Sequence, residues 1–475
     1  MCCAALPPTR HKRSAKIQQL DLQVRYFQDS TPLGVPCREE NFVRRQIRMS
    51  LPQAQTARVL VDMWNDHFND SWLERAAHLT RAAVVREVEQ RLAGTSNPPL
   101  LIPREENEMS NPSEHVEDSA SQIRITALHA FPLGGKGYVK IETNMGVTGW
   151  GEINNMETKV ACALAASLAA VIVGENPTRI EHHWQRMFRT HRNIRGGGLM
   201  VHTISAIDMA LWDIAGKLWN VPVYRLLGGP CRDKIWMYPS PKALKTGPGG
   251  SMPFAGTPDE IQDLVDRVHQ ARQQVGSDGA VMFDAHSSLP LPIVKQFAGY
   301  LKADDLLFLE EAWVPGNIEA MKKVREFVPV PLATGERDRT IWEVREILEA
   351  QVIDILQPDC GHGGGISQMK KVAALAEAHH VPLAPHCTMS HLGLTASLHV
   401  AASVPFFLIH EGYEGVLPED VARKTWEMDE EGYVSLPEGP GLGVEIDEAR
   451  VVEEGERPWQ GWPNPRLKDG SVADY

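Results

Sequence analysis

From residue 235 onward the chain repeats one unit. A short apolar run ends in a polar residue, and a helix-patterned stretch follows. The polar ends are Asp284, Glu310, Glu336, Asp359, His386 and Glu411, at intervals of 26, 26, 23, 27 and 25 residues. Few folds accept this rhythm. A parallel strand returns to its sheet only through a crossover of roughly a dozen residues or more, usually a helix. Even strand–helix alternation therefore predicts a parallel α/β sheet, most simply a closed barrel. In such barrels the C-terminal strand ends form the rim where chemistry is done.

Three successive strands end in acids: "VMFDAH" in Asp284, "LLFLEEAW" in Glu310 and "VPLATGER" in Glu336. Neighbouring strands lie about 4.8 Å apart, so the three carboxylates can converge. They would repel one another unless a cation sat between them. Oxygen-only donors favour a hard ion, Mg²⁺ first and Mn²⁺ second. The competing reading gives each acid its own salt bridge. It suits one rim carboxylate better than three in phase. Asp359 and His386 end adjacent strands, where a carboxylate can hold an imidazole and raise its basicity. His286 lies two residues beyond Asp284 and is expected on the same side of an extended segment. A histidine then flanks the expected ion on each side. His362, His379, His380 and His391 gain no role from their positions.

Upstream, residues 1–95 form a short piece and 96–121 a Pro-, Ser-, Asn- and Glu-rich linker. In the short piece "ARVLVDMWNDHF" reads as a buried strand ending in Asp62, and a helix is expected over 71–92. A basic leader precedes them. Residues 122–233 open with a hairpin, "IRITALHAF" and "GYVKIETNMGVTGWGE". Helices are expected at 157–173 and 179–189, then the glycine-rich loop "RNIRGGGLM", then a helix over 202–220. The barrel is expected over 234–415, with a C-terminal segment at 416–475.

The net charge of −13 argues against a general nucleic-acid or membrane binder. No apolar run approaches the roughly 20 residues of a membrane helix. Seven scattered cysteines without CxxC spacing indicate reduced thiols in a cytoplasmic protein.

The motifs "GVTGWGE", "SAIDMALWDIAGKLWNVPVYRLLGG", "FDAH", "EEAW", "TGER", "QPDCGHGGGIS" and "APHC" resemble the enolase superfamily. The resemblance is to its mandelate racemase/muconate lactonizing branch, and within that to acid-sugar dehydratases of galactonate type. It covers residues 122–475. It implies an α/β fold, a modified (β/α)₇β TIM-like barrel with an N-terminal α+β capping domain that the C-terminal segment completes. It implies one Mg²⁺ held at Asp284, Glu310 and Glu336, which binds the carboxylate of a small sugar (aldonic) acid. By the same resemblance His386, tuned by Asp359, removes the α-proton, and Glu411 hydrogen-bonds the intermediate opposite the metal. His286 protonates the departing β-hydroxyl, and the product is a 2-keto-3-deoxy acid. Arg195, Lys245 and Arg337 are candidate substrate contacts, and a homo-oligomer is expected. A racemase or epimerase on this scaffold stays open, as does an inactive homologue. A weaker resemblance, over 57–95, is to a truncated isochorismatase-like cysteine hydrolase with no nucleophile.

One departure stands out. Between "IWMYPS" and "KALKTGPGG" there is no room for a helix, and the Pro- and Gly-rich stretch that follows cannot hold one. The first barrel helix is missing, so the orientation of Lys245 is left open.

Overall fold

The computed structural model describes residues 19–29, 42–52, 122–133, 135–154, 157–313, 316–412, 421–455 and 466–473. Contacts divide the chain into two units, Met1–Leu101 and Ile102–Tyr475.

In the first unit β1 (Gln19–Asp29) and β2 (Phe42–Pro52) pair antiparallel, in register from Gln19 opposite Pro52 to Asp29 opposite Phe42. The run "LDLQVRY" alternates apolar and polar residues, the period of a strand. This hairpin is absent from the expected elements. The expected strand ending in Asp62, the helix over 71–92, the leader and the linker lie outside the described residues.

The first described elements of the second unit form an antiparallel sheet of β3 (Ile125–Leu133), β4 (Lys136–Thr143) and β5 (Thr148–Ile153). Helices α1 (Thr158–Ile172), α2 (Ile180–Thr190) and α3 (Gly198–Leu218) follow. Ile141, Leu168, Trp184, Ile204, Ile207 and Leu211 fill the core between them. The last two glycines of "GVTGWGE" have a packing cause. A Cβ on Gly149 or Gly151 would sit 2.0 or 1.9 Å from the backbone oxygens of Ala210 and Ala206, so only glycine lets α3 lie flush on β5.

The repeat follows. Its strands are β6 (Lys234–Tyr238), β7 (Ala243–Thr246), β8 (Ala280–Asp284), β9 (Phe308–Glu310), β10 (Leu332–Thr334), β11 (Ile355–Leu356) and β12 (His410–Glu411). Between them run α4 (Pro258–Val275), α5 (Leu291–Ala298), α6 (Ile318–Arg325), α7 (Thr340–Ala350), α8 (Gly365–Ala378) and α9 (His391–Ser403). A capping box of Thr257 and Glu260, with Pro258 at the first position, starts α4 where the sequence signals it. Parallel ladders join β7 through β11 in order. Parallel bridges continue from Leu356 to Leu383 and from Leu383 to Phe407, and β12 pairs with β6. This is the cyclic order of a barrel. No helix separates β6 from β7. The chain turns through residues 239–242, and Ser240 and Ala243 exchange both backbone hydrogen bonds, at 2.8 and 3.2 Å.

Alternation along the strands sorts side chains into two layers. Val281, Phe283, Leu309 and Leu332 face outward against helices. Ala243, Ala280, Met282, Phe308, Ala333, Ile355, Ala384 and Ile409 fill the interior. Two residues beyond members of that inner set stand Lys245, Asp284, Glu310, His386 and Glu411, so strand parity aims all five into the mouth.

Candidate active site

Asp284 and Glu310 end neighbouring strands directly opposite each other. Both are buried, as is Glu336 two residues past β10. Burial, with Asp284 alongside, pushes the Glu310 carboxyl well above the usual carboxylate range, against the pull of Lys245. Burial, helped by Glu311 and Asp284, pushes Glu336 up to about 7 against the pull of His386. Asp284 is also penalised by burial, but Lys245 and His286 outweigh this and hold its carboxyl below the usual value. Asp284 Oδ2, Glu310 Oε1 and Glu336 Oε2 are buried and make no aligned hydrogen bond. Such atoms are costly unless something satisfies them. Carboxylate oxygens gathered this way fit a hard divalent cation.

The Asp359–His386 pair is close. His386 Nδ1 donates to Asp359 Oδ2 at 2.7 Å, and Asp359 Oδ1 accepts from the backbone of Gly361 and His362 at 2.6 and 2.9 Å. Burial disfavours both charged forms. Even so, His362 and His386 keep Asp359 ionised far below the usual range, and Glu336, Glu411 and Asp359 raise His386 well above it. His386 Nε2 faces the mouth, 3.4 Å from Glu336 Oε2 and 3.9 Å from Glu411 Oε2. The ligand atoms of Asp359, His362 and His386 also lie within 4.8 Å of one another, a spacing that could hold a metal. Here, however, each group already has a hydrogen-bond partner. The unsatisfied oxygens are on the rim acids, and that is where a cation fits better.

His286 departs from expectation in its backbone. The strand ends at Asp284, and His286 and Ser287 turn left-handed at φ 49° and 54°. The segment is not extended there, yet the imidazole still reaches Asp284, with Nε2 3.1 Å from Oδ2 and a side chain 55% exposed. Glu411 accepts from the Cys387 amide at 3.1 Å and pairs with Lys245 at 2.6 Å. Lys245 therefore points into the mouth despite the missing helix. Its ammonium also stands 2.9 Å from Asp284 Oδ2 and 3.4 Å from Glu310 Oε2. Arg337 lies at the rim beside Glu336, with Nε 3.5 Å from Glu336 Oε1. Its Nε donates to Glu311 at 2.9 Å, and its other donors meet Glu311 and Ser287. It thereby ties three strand-end loops together. Arg195 is exposed in the loop before α3, with its guanidinium 5.8 Å from the Phe188 ring.

The structure adds residues that the motifs did not single out. His362 Nδ1 donates to the Glu336 carbonyl at 3.0 Å, its Nε2 meets Asn154 Nδ2 at 3.2 Å, and its ring stacks on His202 at 4.3 Å. Burial lowers the pKa of both imidazoles, pushing His202 down to about 3. Asn154 in turn accepts from Lys136 at 2.9 Å and donates to Thr388 Oγ1 at 3.0 Å. The β3–β5 sheet thus reaches His386 through a chain of hydrogen bonds. The sequence carries no local signal for this network, whose partners lie far apart in the chain.

Comparison with known proteins identifies the family. Residues 123–228 match the family described as mandelate racemase / muconate lactonizing enzyme, N-terminal domain, and residues 240–450 match enolase C-terminal domain-like. A D-galactonate dehydratase of Ralstonia pickettii is 35% identical over 384 residues, covering 74% of this chain and 100% of that protein. A D-galactonate dehydratase family member of Streptomyces bingchenggensis is 34% identical, covering 77% and 100%. An enolase from Agrobacterium radiobacter solved with bound Na and L-malate superposes with TM-score 0.65 at 29% identity, covering 74% of this chain and 99% of that one. The 3,6-anhydro-D-galactonate cycloisomerase of Zobellia galactanivorans gives TM-score 0.63 at 25% identity, covering 70% and 99%. With its rim acids, its Asp–His pair and both family domains in sequence, the chain belongs to the mandelate racemase/muconate lactonizing family of the enolase superfamily.

Proposed function

We propose that this protein is a Mg²⁺-dependent hydro-lyase that removes water from an aldonic acid to give a 2-keto-3-deoxy acid. One observation supports this most: buried, unsatisfied carboxylate oxygens on adjacent strands lie beside an Asp359–His386 pair whose free nitrogen faces them. The dehydratase names of the relatives point the same way. In this reading the parallel ring is a (β/α)₇β barrel that has lost its first helix, capped by residues 122–233 with the C-terminal segment.

Asp284, Glu310 and Glu336 would hold the ion. When bound, it supplies electrostatic stabilisation of the charge that develops on the substrate carboxylate. His386 Nε2 takes the Cα proton, and Asp359 holds Nδ1–H and favours the imidazolium that results. Glu411, across from His386 Nε2, hydrogen-bonds the reacting end of the substrate. As the Cβ–O bond breaks, His286 gives its proton to the departing hydroxyl, which leaves as water. The enol then tautomerises to the keto acid. The exposed edge of His286 suits it to regain a proton from solvent.

The test is incubation of the full chain with a panel of aldonates, with Mg²⁺ or with EDTA, followed by detection of 2-keto acids. Product should form from at least one aldonate and only with the metal. No product from any aldonate at saturating Mg²⁺ overturns the proposal. Solvent deuterium entering Cα with the hydroxyls retained would favour an epimerase.

A further inference from the structure

The ammonium of Lys245 stands among the acids that a cation would need. Its nearest contact is Glu411 Oε1 at 2.6 Å, then Asp284 Oδ2 at 2.9 Å and Glu310 Oε2 at 3.4 Å. The ring of Tyr238 lies 5.8 Å from the ammonium, and the side chain is 18% exposed. The backbone is fixed by the ladder that pairs Lys245 with Met282, so the charge is delivered to the mouth by strand register. One lysine cannot neutralise four gathered acids. Glu310 Oε1 and Glu336 Oε2 remain without a hydrogen bond while Lys245 is in place. A divalent ion would bring twice the charge to the same oxygens. The two cations cannot share Asp284 Oδ2 and Glu310 Oε2, because like charges at contact distance in a buried site repel strongly. Glu411 lies outside the metal set and already holds Lys245 most closely. Rotation of one side chain therefore clears the ion's ligands without refolding the strand.

We propose that Lys245 is the built-in counter-cation of this cluster, competing with the divalent ion for Asp284 and Glu310 and withdrawing onto Glu411 when the ion enters. This rests on the assignment of the metal to Asp284, Glu310 and Glu336. It explains how a mouth crowded with buried acids stays folded before the metal arrives, and it makes metal affinity a property that Lys245 sets.

The experiment is calorimetric titration of Mg²⁺ into the EDTA-stripped full chain, as wild type, Lys245→Met and Lys245→Arg. Lys245→Met should bind Mg²⁺ at least about tenfold more tightly, the scale of one removed unit charge at about 4 Å. Lys245→Arg, which keeps the charge, should stay within about threefold of wild type. Melting should show Lys245→Met below wild type in EDTA, with a larger rise on adding Mg²⁺. Equal or weaker Mg²⁺ binding by Lys245→Met overturns the competition and leaves the metal assignment standing. No Mg²⁺ binding by any of the three overturns both. A measurement on wild type alone guards against a variant that fails to fold. The rate at which a lysine-reactive reagent labels Lys245, read by peptide mass spectrometry, should rise several-fold from EDTA to saturating Mg²⁺. An unchanged or slower rate also overturns the proposal.

Discussion

Two groups of buried acids in this molecule are treated in opposite ways. Along the seam where β3–β5 and α3 pack on the later part of the same unit, Glu152, Asp208 and Asp213 are each surrounded by donors. Glu152 accepts from the backbone of Ser390 and Gly393 at 2.9 and 3.1 Å, from the Ser390 hydroxyl, and pairs with Lys136 at 3.4 Å. Asp213 accepts from Trp150 and Leu442 amides at 3.0 and 2.9 Å and from Lys217 at 2.6 Å. Asp208 accepts from the Ser367 amide and hydroxyl at 3.0 and 2.5 Å. On the rim, Asp284, Glu310 and Glu336 keep oxygens with no hydrogen bond. Matched buried acids hold parts of the fold together. Unmatched ones cost stability and are retained where a ligand completes them.

The largest effect expected separates activity from stability. Glu310→Gln should lower kcat/KM by about 10³-fold or more, the scale of losing one preorganised electrostatic group. Its melting temperature in EDTA should hold or rise, because one of several repelling charges has gone. A Glu310→Gln protein that melts far below wild type in EDTA would place the rim acids with the seam acids and end the distinction.

Glu152→Ala should behave in reverse. It leaves Lys136 without its carboxylate and removes an anion from the N-terminus of α9, where the helix dipole favours one. Breaking a buried charge pair in this way costs about 3–5 kcal/mol, which urea unfolding would read. A loss below about 1 kcal/mol would show that matching at the seam contributes little.

The two groups also differed in how far they could be read from the residues alone. Asp284, Glu310 and Glu336 each end an apolar run, and alternation along a strand carries that information directly to the barrel mouth. Lys245 did not give the same signal. With the connection before it cut to four residues, the facing of β7 depended on a register that only the pairing of Ala243 with Ala280 reveals. The seam was opaque because its partners are far apart in the chain. Glu152 and Ser390 are separated by 238 residues, and nothing local links them. The left-handed turn at His286 is not legible in the sequence, because a histidine after a strand gives no warning of positive φ. The alternation of β1 is legible in its residues, though the expected elements do not include this hairpin.

A third effect separates buried bases from buried acids. Burial pushes His183 and His399 down to about 4 from the ordinary 6.5. A depressed folded-state value means that these histidines resist protonation only when folded. Their contribution is full above pH 6.5 and is lost as pH falls toward 4. Asp208, pushed up to about 7 by burial, runs the other way, and its contribution is lost as pH rises from 3.8 to 7. His399→Gln removes one titration and keeps a group able to bond the Tyr224 amide and the Leu442 carbonyl, which His399 meets at 3.2 and 3.1 Å. Between pH 7.5 and 5 the wild type should lose about 2 kcal/mol more than this variant in urea unfolding. Parallel pH profiles would remove His399 from the account.

The smallest expected effect sharpens the comparison most. Lys371 and Glu181 also span the seam, with Lys371 Nζ 2.6 Å from both carboxylate oxygens and 6.0 Å from the Trp184 ring. By distance alone this pair is closer than Lys136 and Glu152. Its side chains, however, are 37% and 53% exposed, and water already solvates both charges before they meet. The gain over hydration is therefore small, and mobile ions screen what remains. Lys371→Ala should cost at most about 1 kcal/mol at low ionic strength, and the difference from wild type should shrink in roughly 0.5 M salt. A loss near that of Glu152→Ala, unmoved by salt, would mean that bridging the seam is what stabilises it. The expected small, salt-sensitive loss would instead assign the strength of the seam to the donors around its buried acids, where the rim acids keep oxygens without one.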